Sequence, residues 1–286
     1  GLVKTSEDFG SQGEAPRHPR LLDHLTVRFV ESGLDVKGLV RSIVLSQTYQ
    51  QSSAATRDQY LADPDNRLLA RGSRFRLDAE VIRDQLLAVS GLLNTTLYGK
   101  SVKPPQPEGL WKIVAMPSSY PNVFEPDTGD KIYRRSVYTF WKRGLPPPQM
   151  TIFDAPTRES CIARRERTNT PLQALLMMNE EQHFAGAIHF AKSLLERSEL
   201  TDDARIELAY EAITSQLPGD EMLGKLRAAR QEFLDLYRND PTAAEAMFSG
   251  IADPAIATIS QPQVELASWT MLVHSLLNLD ITKTRE

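Results

Sequence analysis

Thr170–Leu195, TPLQALLMMNEEQHFAGAIHFAKSLL, is the stretch whose reading decides the fold. A threonine at the cap position accepts an otherwise orphaned backbone N–H, and a proline at the first helical position has no N–H to orphan. Thr170-Pro171 is therefore the clearest helix start in the chain. The run Leu172–Leu195 behind it predicts one helix long enough to be a central element.

Working outward, helical spacing recurs on both sides. Leu21, Leu22, Leu25 and Phe29 make a first helix after His18, with Gly33 as its C-terminal cap. Asp35 caps a second helix carrying Val36, Leu39, Val40, Ile43 and Val44 and continuing toward Tyr49, so the pair reads as a helical hairpin. Residues 56–76 form a charged, proline-containing connection, and Asp78 caps a third helix with Ile82, Leu86, Val89 and Leu93 on one side. Between Gly99 and Asp130 prolines accumulate and periodicity disappears. That predicts a long ordered loop, either functional or a lid packed by its own aromatics Tyr120 and Phe124, with a short strand near 111–115. Ile132–Trp141 is rich in β-branched and aromatic residues with two alternating faces, which predicts a second strand at 132–141. Downstream, 201–216 and 218–238 form an αα-hairpin, and Val264–Leu277 a closing helix.

The expected fold is thus mainly α: a helical bundle with a small β element and a C-terminal helical hairpin. It divides into an N-terminal helical part (1–98), a loop-rich, arginine-rich segment (99–170) and a C-terminal helical part (171–286), forming one continuous domain. At 286 residues, with 41% hydrophobic and 24% charged residues, the chain can bury a core without metal or disulfide staples. No stretch approaches the roughly 20 apolar residues of a membrane span. Net charge is −4, distributed as −1 over 1–130, +6 over 131–167 and −9 over 168–286. A chain acidic overall argues against a nucleic-acid partner, while its basic middle could face an anion.

The chemistry that the sequence excludes is easier to state than the chemistry it offers. A single cysteine, Cys161, rules out an internal disulfide, a thiolate zinc cluster, an iron–sulfur cluster and a CxxCH haem attachment. There is no HExxH, GxSxG, P-loop or GxGxxG. Glu180 and His183 form one Glu-x-x-His step, but a di-metal bundle needs two, so no metal site is expected. Arg134, Arg135, Arg158, Arg164, Arg165 and Arg167 offer planar forks for carboxylate, sulfate or phosphate. Asn169 and Thr170 open a helix whose first amides could also hold an anion. Asp154, Glu159 and Glu166, set among those arginines, are the candidate acid/base carboxylates, although structural pairing with the arginines is the simpler reading of them.

Several strings resemble a planctomycete-associated domain of unknown function. They are KTSEDFG (4–10) with Gly13-Glu14, HPRLLD (18–23), RRSVYTFWKR (134–143), FDAP (153–156), RRERTNTPLQAL (164–175) and the closing LNLD (277–280). The resemblance implies a domain near the C-terminal end of a large exported protein, behind a planctomycete cytochrome c-type domain and a second uncharacterised domain. It further implies an extracytoplasmic setting, no cofactor in this chain with haem on a neighbouring domain, and a start inside the family domain. It supplies no catalytic residue.

Three functions follow as expectations. The first is a non-catalytic module that binds a partner protein or an acidic glycan alongside other domains of its parent protein. The second is a polysaccharide-acting enzyme using carboxylates of the 154–166 segment under a proline-rich lid. The third is a structural scaffold joined by its arginines.

Overall fold

The computed structural model describes residues 2–8, 11–114, 118, 122–249 and 262–285, and the statements below concern these. The chain is mainly helical and divides into two compact units. One comprises Gly1–Arg76, Ser160–Glu166 and Thr284–Glu286; the other comprises Leu77–Glu159 and Arg167–Lys283.

In the first unit, α1 (Pro19–Glu31) ends as the sequence predicts. Gly33 takes φ +72, and the amides of Gly33 and Leu34 return to the carbonyls of Val30 and Phe29 at 3.0 Å each. Asp35 caps α2 (Val36–Val44) by accepting the Gly38 amide, but the helix stops at Val44 rather than running on to Tyr49. Neither helix contains a buried residue. The connection at 56–76 holds a further helix, α3 (Arg57–Ala62), started by a reciprocal Thr56–Gln59 capping box. The unit also contains the paired strands β1 (Phe75–Arg76) and β2 (Thr284–Arg285), antiparallel, with Phe75 opposite Arg285. Arg285 stacks over Tyr49 and donates to its carbonyl, tying the strand pair to the segment after α2.

The second unit starts with α4 (Ala79–Val89). Asp78 stands at its cap position, but its carboxylate accepts no capping hydrogen bond from the helix and pairs with Arg167 at 3.5 Å instead. Two strand expectations fail here. Leu110–Val114 is the short helix α5, with Ala115 outside the described residues. Its Trp111 stacks on Phe124 and donates to Gln106, so part of the loop's aromatic packing is as expected, while Tyr120 lies outside the described residues. Residues 132–141 form two 3₁₀ turns, at Gly129–Tyr133 and Ser136–Tyr138, with only isolated bridges to Asn94 and Val102. An alternating segment becomes a strand only if a neighbour supplies a ladder. Here the side chains of Arg134 and Ser136 turn inward to helices and carbonyls instead.

After α6 (Pro148–Ile152) the predicted long helix begins at Pro171, with a Thr170–Gln173 capping box, but it is two helices. α7 (Pro171–Asn179) and α8 (Glu181–Glu196) are separated by Glu180, whose backbone is extended at φ −77, ψ 130. The hairpin of α9 (Asp202–Thr214) and α10 (Asp220–Asn239) is followed by an unanticipated α11 (Pro241–Phe248), then α12 (Gln263–Leu277) and α13 (Asp280–Lys283). The main core lies where α8, α9, α10 and α12 meet α4, around the fully buried Trp269, Ile188, Leu194, Ile206 and Leu272. Gly186 lets α8 approach α4 closely, since a Cβ there would lie 2.9 Å from Leu86.

Candidate functional site

The predicted arginine-rich region resolves into local attachments. Arg134 is buried, donates to the carbonyls of Thr96, Tyr98 and Lys100 at 2.6–3.0 Å, and lies 3.9 Å from the Tyr138 ring centre. Arg135 pairs with Asp84, Arg167 with Asp78, and Arg158 lies over Trp141. Arg164, Arg165 and Glu166 belong to the first unit, and the other candidates belong to the second. Asp154 accepts the Thr168 amide and hydroxyl, using both carboxylate oxygens. Glu159 is exposed, and Thr170 is engaged in its capping box. None of five pockets among the described residues is lined by more than one of these candidates.

The site that does form is built on the helix break. Glu180 leaves helical conformation between α7 and α8, which frees its side chain to cap α8. One carboxylate oxygen accepts both the His183 amide at 2.8 Å and the His183 Nδ1–H at 2.9 Å. A charged carboxylate at Nδ1 keeps a proton on that nitrogen and fixes the ring's orientation. His183 is 6% exposed, and its Nε2 has no partner among the described residues. Burial opposes the charge on Glu180, but the hydrogen bonds and charge of His183, together with Arg83, outweigh it and hold the carboxyl below its ordinary range.

Arg83, from α4, closes the other side. It is buried and donates to Gln182 Oε1, Ser136 Oγ and the carbonyls of Ile132 and Arg134. Burial lowers its pKa, while Glu180 and Asp84 oppose that shift. Asp84 meanwhile accepts the Ser136 amide at 2.7 Å. The two arginines, Arg83 and Arg134, thereby fasten the 94–100 and 132–138 segments to the helical body.

Between these groups lies a cavity of about 10 Å³, lined by Arg83, Gln149, Met150, Phe153, Glu180 and His183, room for one water-sized atom. Gln149 Oε1 is a buried acceptor without a partner among the described residues. Gln149, Leu176 and Glu180 also line a cleft of about 330 Å³, walled by Pro105, Pro107 and Pro148 from one side and by Asn179 and Glu181 from the other. Glu108, Glu180 and Glu181 are among the residues lining this cleft, and among the described residues no lysine or arginine lines it. The sequence signal for the site was the Glu180-x-x-His183 step, which reads as half of a metal motif until the helix break shows the pair bonded to each other. Among the described residues, no group of three His, Cys, Asp or Glu side chains could hold a metal ion, and no helix is long and apolar enough to cross a membrane.

No curated protein and no solved structure matches the chain. A family model does: PSD1, described as a protein of unknown function (DUF1553), matches residues 1–229. With most of its length covered by that model, the chain belongs to the PSD1 (DUF1553) family.

Proposed function

We propose that this chain is a non-catalytic binding module whose second unit receives a basic segment of a partner protein in the acid-lined cleft. The observation that carries the reading is the cleft's lining: Glu108, Glu180 and Glu181 are among the residues that form it, and among the described residues no lysine or arginine does. Electrostatic complementarity of this kind steers encounter and selects partners by sign. Pro105, Pro107 and Pro148 in its walls have fixed φ, which limits the ordering that a ligand would have to impose. The parent protein is, on the resemblance of the strings alone, an exported, cytochrome-linked one of planctomycete type.

The acidic-glycan version of the module has less support, because Arg134, Arg135 and Arg167 are engaged by carbonyls and carboxylates. The enzyme reading is weakened in the same way, since Asp154 is committed to Thr168. Titration calorimetry of the full chain with a lysine- and arginine-rich decapeptide and with a glutamate-rich one tests the proposal. Binding of the basic peptide is expected to weaken with salt and to fall about tenfold or more when Glu108→Lys and Glu181→Lys are combined. Equal binding of both peptides, or indifference to the double reversal, would overturn it.

A further inference from the structure

We propose that the first unit holds a binding pocket for an amphipathic carboxylate, an aliphatic chain ending in a carboxylate group. The pocket shares no residue with the acid-lined cleft and would stand without it. Its volume is about 390 Å³, within the range of roughly 300–1,000 Å³ usual for small-molecule sites. The lining comes from stretches far apart in sequence. α1 gives Leu21 and Leu25, α2 gives Ile43, the connection before β1 gives Leu69 and Arg71, and the strand pair gives Phe75 and Arg285. α1 and α2 carry apolar stripes yet bury no residue, and Leu21, Leu25 and Ile43 bring those stripes to this pocket. An apolar ligand seated there covers surface that neither helix hides by itself.

The charge of the lining selects the head group. Arg71 and Arg285 both line the pocket, and among the described residues no Asp or Glu does. Arg285 is set in place by its neighbours. It lies 4.0 Å from the Tyr49 ring centre and 5.6 Å from that of Phe75, and gives an N–H to the Tyr49 carbonyl at 3.2 Å. A guanidinium carries more donors than that bond uses, in a planar fork that matches a carboxylate. Arg71 is anchored through one nitrogen to the carbonyls of Asp63 and Pro64 at 2.8 and 2.9 Å. The Asp63 carboxylate lies in the field of Arg71, but its oxygens accept the Arg67 and Leu68 amides and it does not line the pocket. A second pocket of about 380 Å³ shares Leu21, Leu25, Ser42 and Ser46 with the first, adds Phe29 and Leu39, and likewise has no acidic residue in its described lining. A flexible tail that outgrows the first pocket thus meets further apolar surface of α1 and α2, which favours an aliphatic chain over a rigid ring system.

Calorimetry on the full, unaltered chain compares decanoate with decanamide, decyltrimethylammonium and butyrate, so that head charge and tail are varied separately. Decanoate is expected to bind about tenfold or more tighter than each, through charge-assisted hydrogen bonds that the first two cannot make and apolar burial that the last lacks. Arg285→Met keeps an apolar side chain beside Tyr49 and Phe75 and should bring decanoate down toward decanamide, while Leu25→Asp should weaken both. Equal affinity for decanoate and decanamide, butyrate binding as tightly as decanoate, a preference untouched by Arg285→Met, or binding of none of the four overturns the proposal. Leu25→Asp should leave the sedimentation of the ligand-free chain unchanged. A dimer that this variant dissociates would show a second copy seated on the pocket, and would overturn the proposal as well.

Discussion

Arg83 commits its guanidinium to four acceptors from two distant stretches of chain, Gln182 on α8 and the turns at 132–136. Arg83→Met would strip Gln182 Oε1, Ser136 Oγ and the Arg134 carbonyl of this donor, and should lower unfolding free energy by about 3 kcal/mol or more in urea denaturation. Two neighbouring groups give the stability a defined acid dependence. Glu180 titrates below the ordinary glutamate value of 4.5, so its contribution is whole above that pH and is lost as pH falls through the lowered value. His274 is pushed below 6.5 by burial, against the Met177 carbonyl and helped by His183, so it folds neutral. Its contribution is whole above about pH 6.5 and declines as pH falls toward the lowered value. Denaturation across pH should therefore show two acid steps. His274→Gln should flatten the upper one and Glu180→Gln the lower, and an unchanged profile in both variants would refute the assignment. None of these roles was legible in sequence, because a buried arginine and an exposed one look alike until the partner carbonyls arrive.

Helix starts were legible because their signals are local. Thr170-Pro171-x-Gln173 names its own cap, and Thr170→Ala should cost about 1 kcal/mol in thermal unfolding. The break at Glu180 was not legible, since Asn179-Glu180 contains neither proline nor glycine and the apolar pattern runs through it. A carboxylate bonded to the amide and ring of His183 compensates for the interrupted helix, and that exchange exists only in the folded surroundings. The alternation at 132–141 misled for the related reason that a strand is defined by its neighbour. α1 and α2, by contrast, have legible stripes but bury no residue, and Val40 is 53% exposed. Val40→Lys should accordingly shift stability by less than about 0.5 kcal/mol, measured by thermal melting.

On the scale of the whole molecule, stability resides in the core where α8, α10 and α12 pack. Trp269 is fully buried there beneath Arg230, which pairs with Glu265. Trp269→Ala should remove about 3–5 kcal/mol and, in a chain of ordinary stability, leave little folded protein by circular dichroism. The mainly helical class and most helix positions could be read from the chain, because a 3.6-residue stripe and a capping residue act within one turn of themselves. The candidate site could not, because its members, Arg83, Gln149 and Glu180–His183, come from three separate helices or their caps. Their meaning lies in which donors and acceptors were left over once packing had used the rest, and that remainder is decided only when distant segments share one interior.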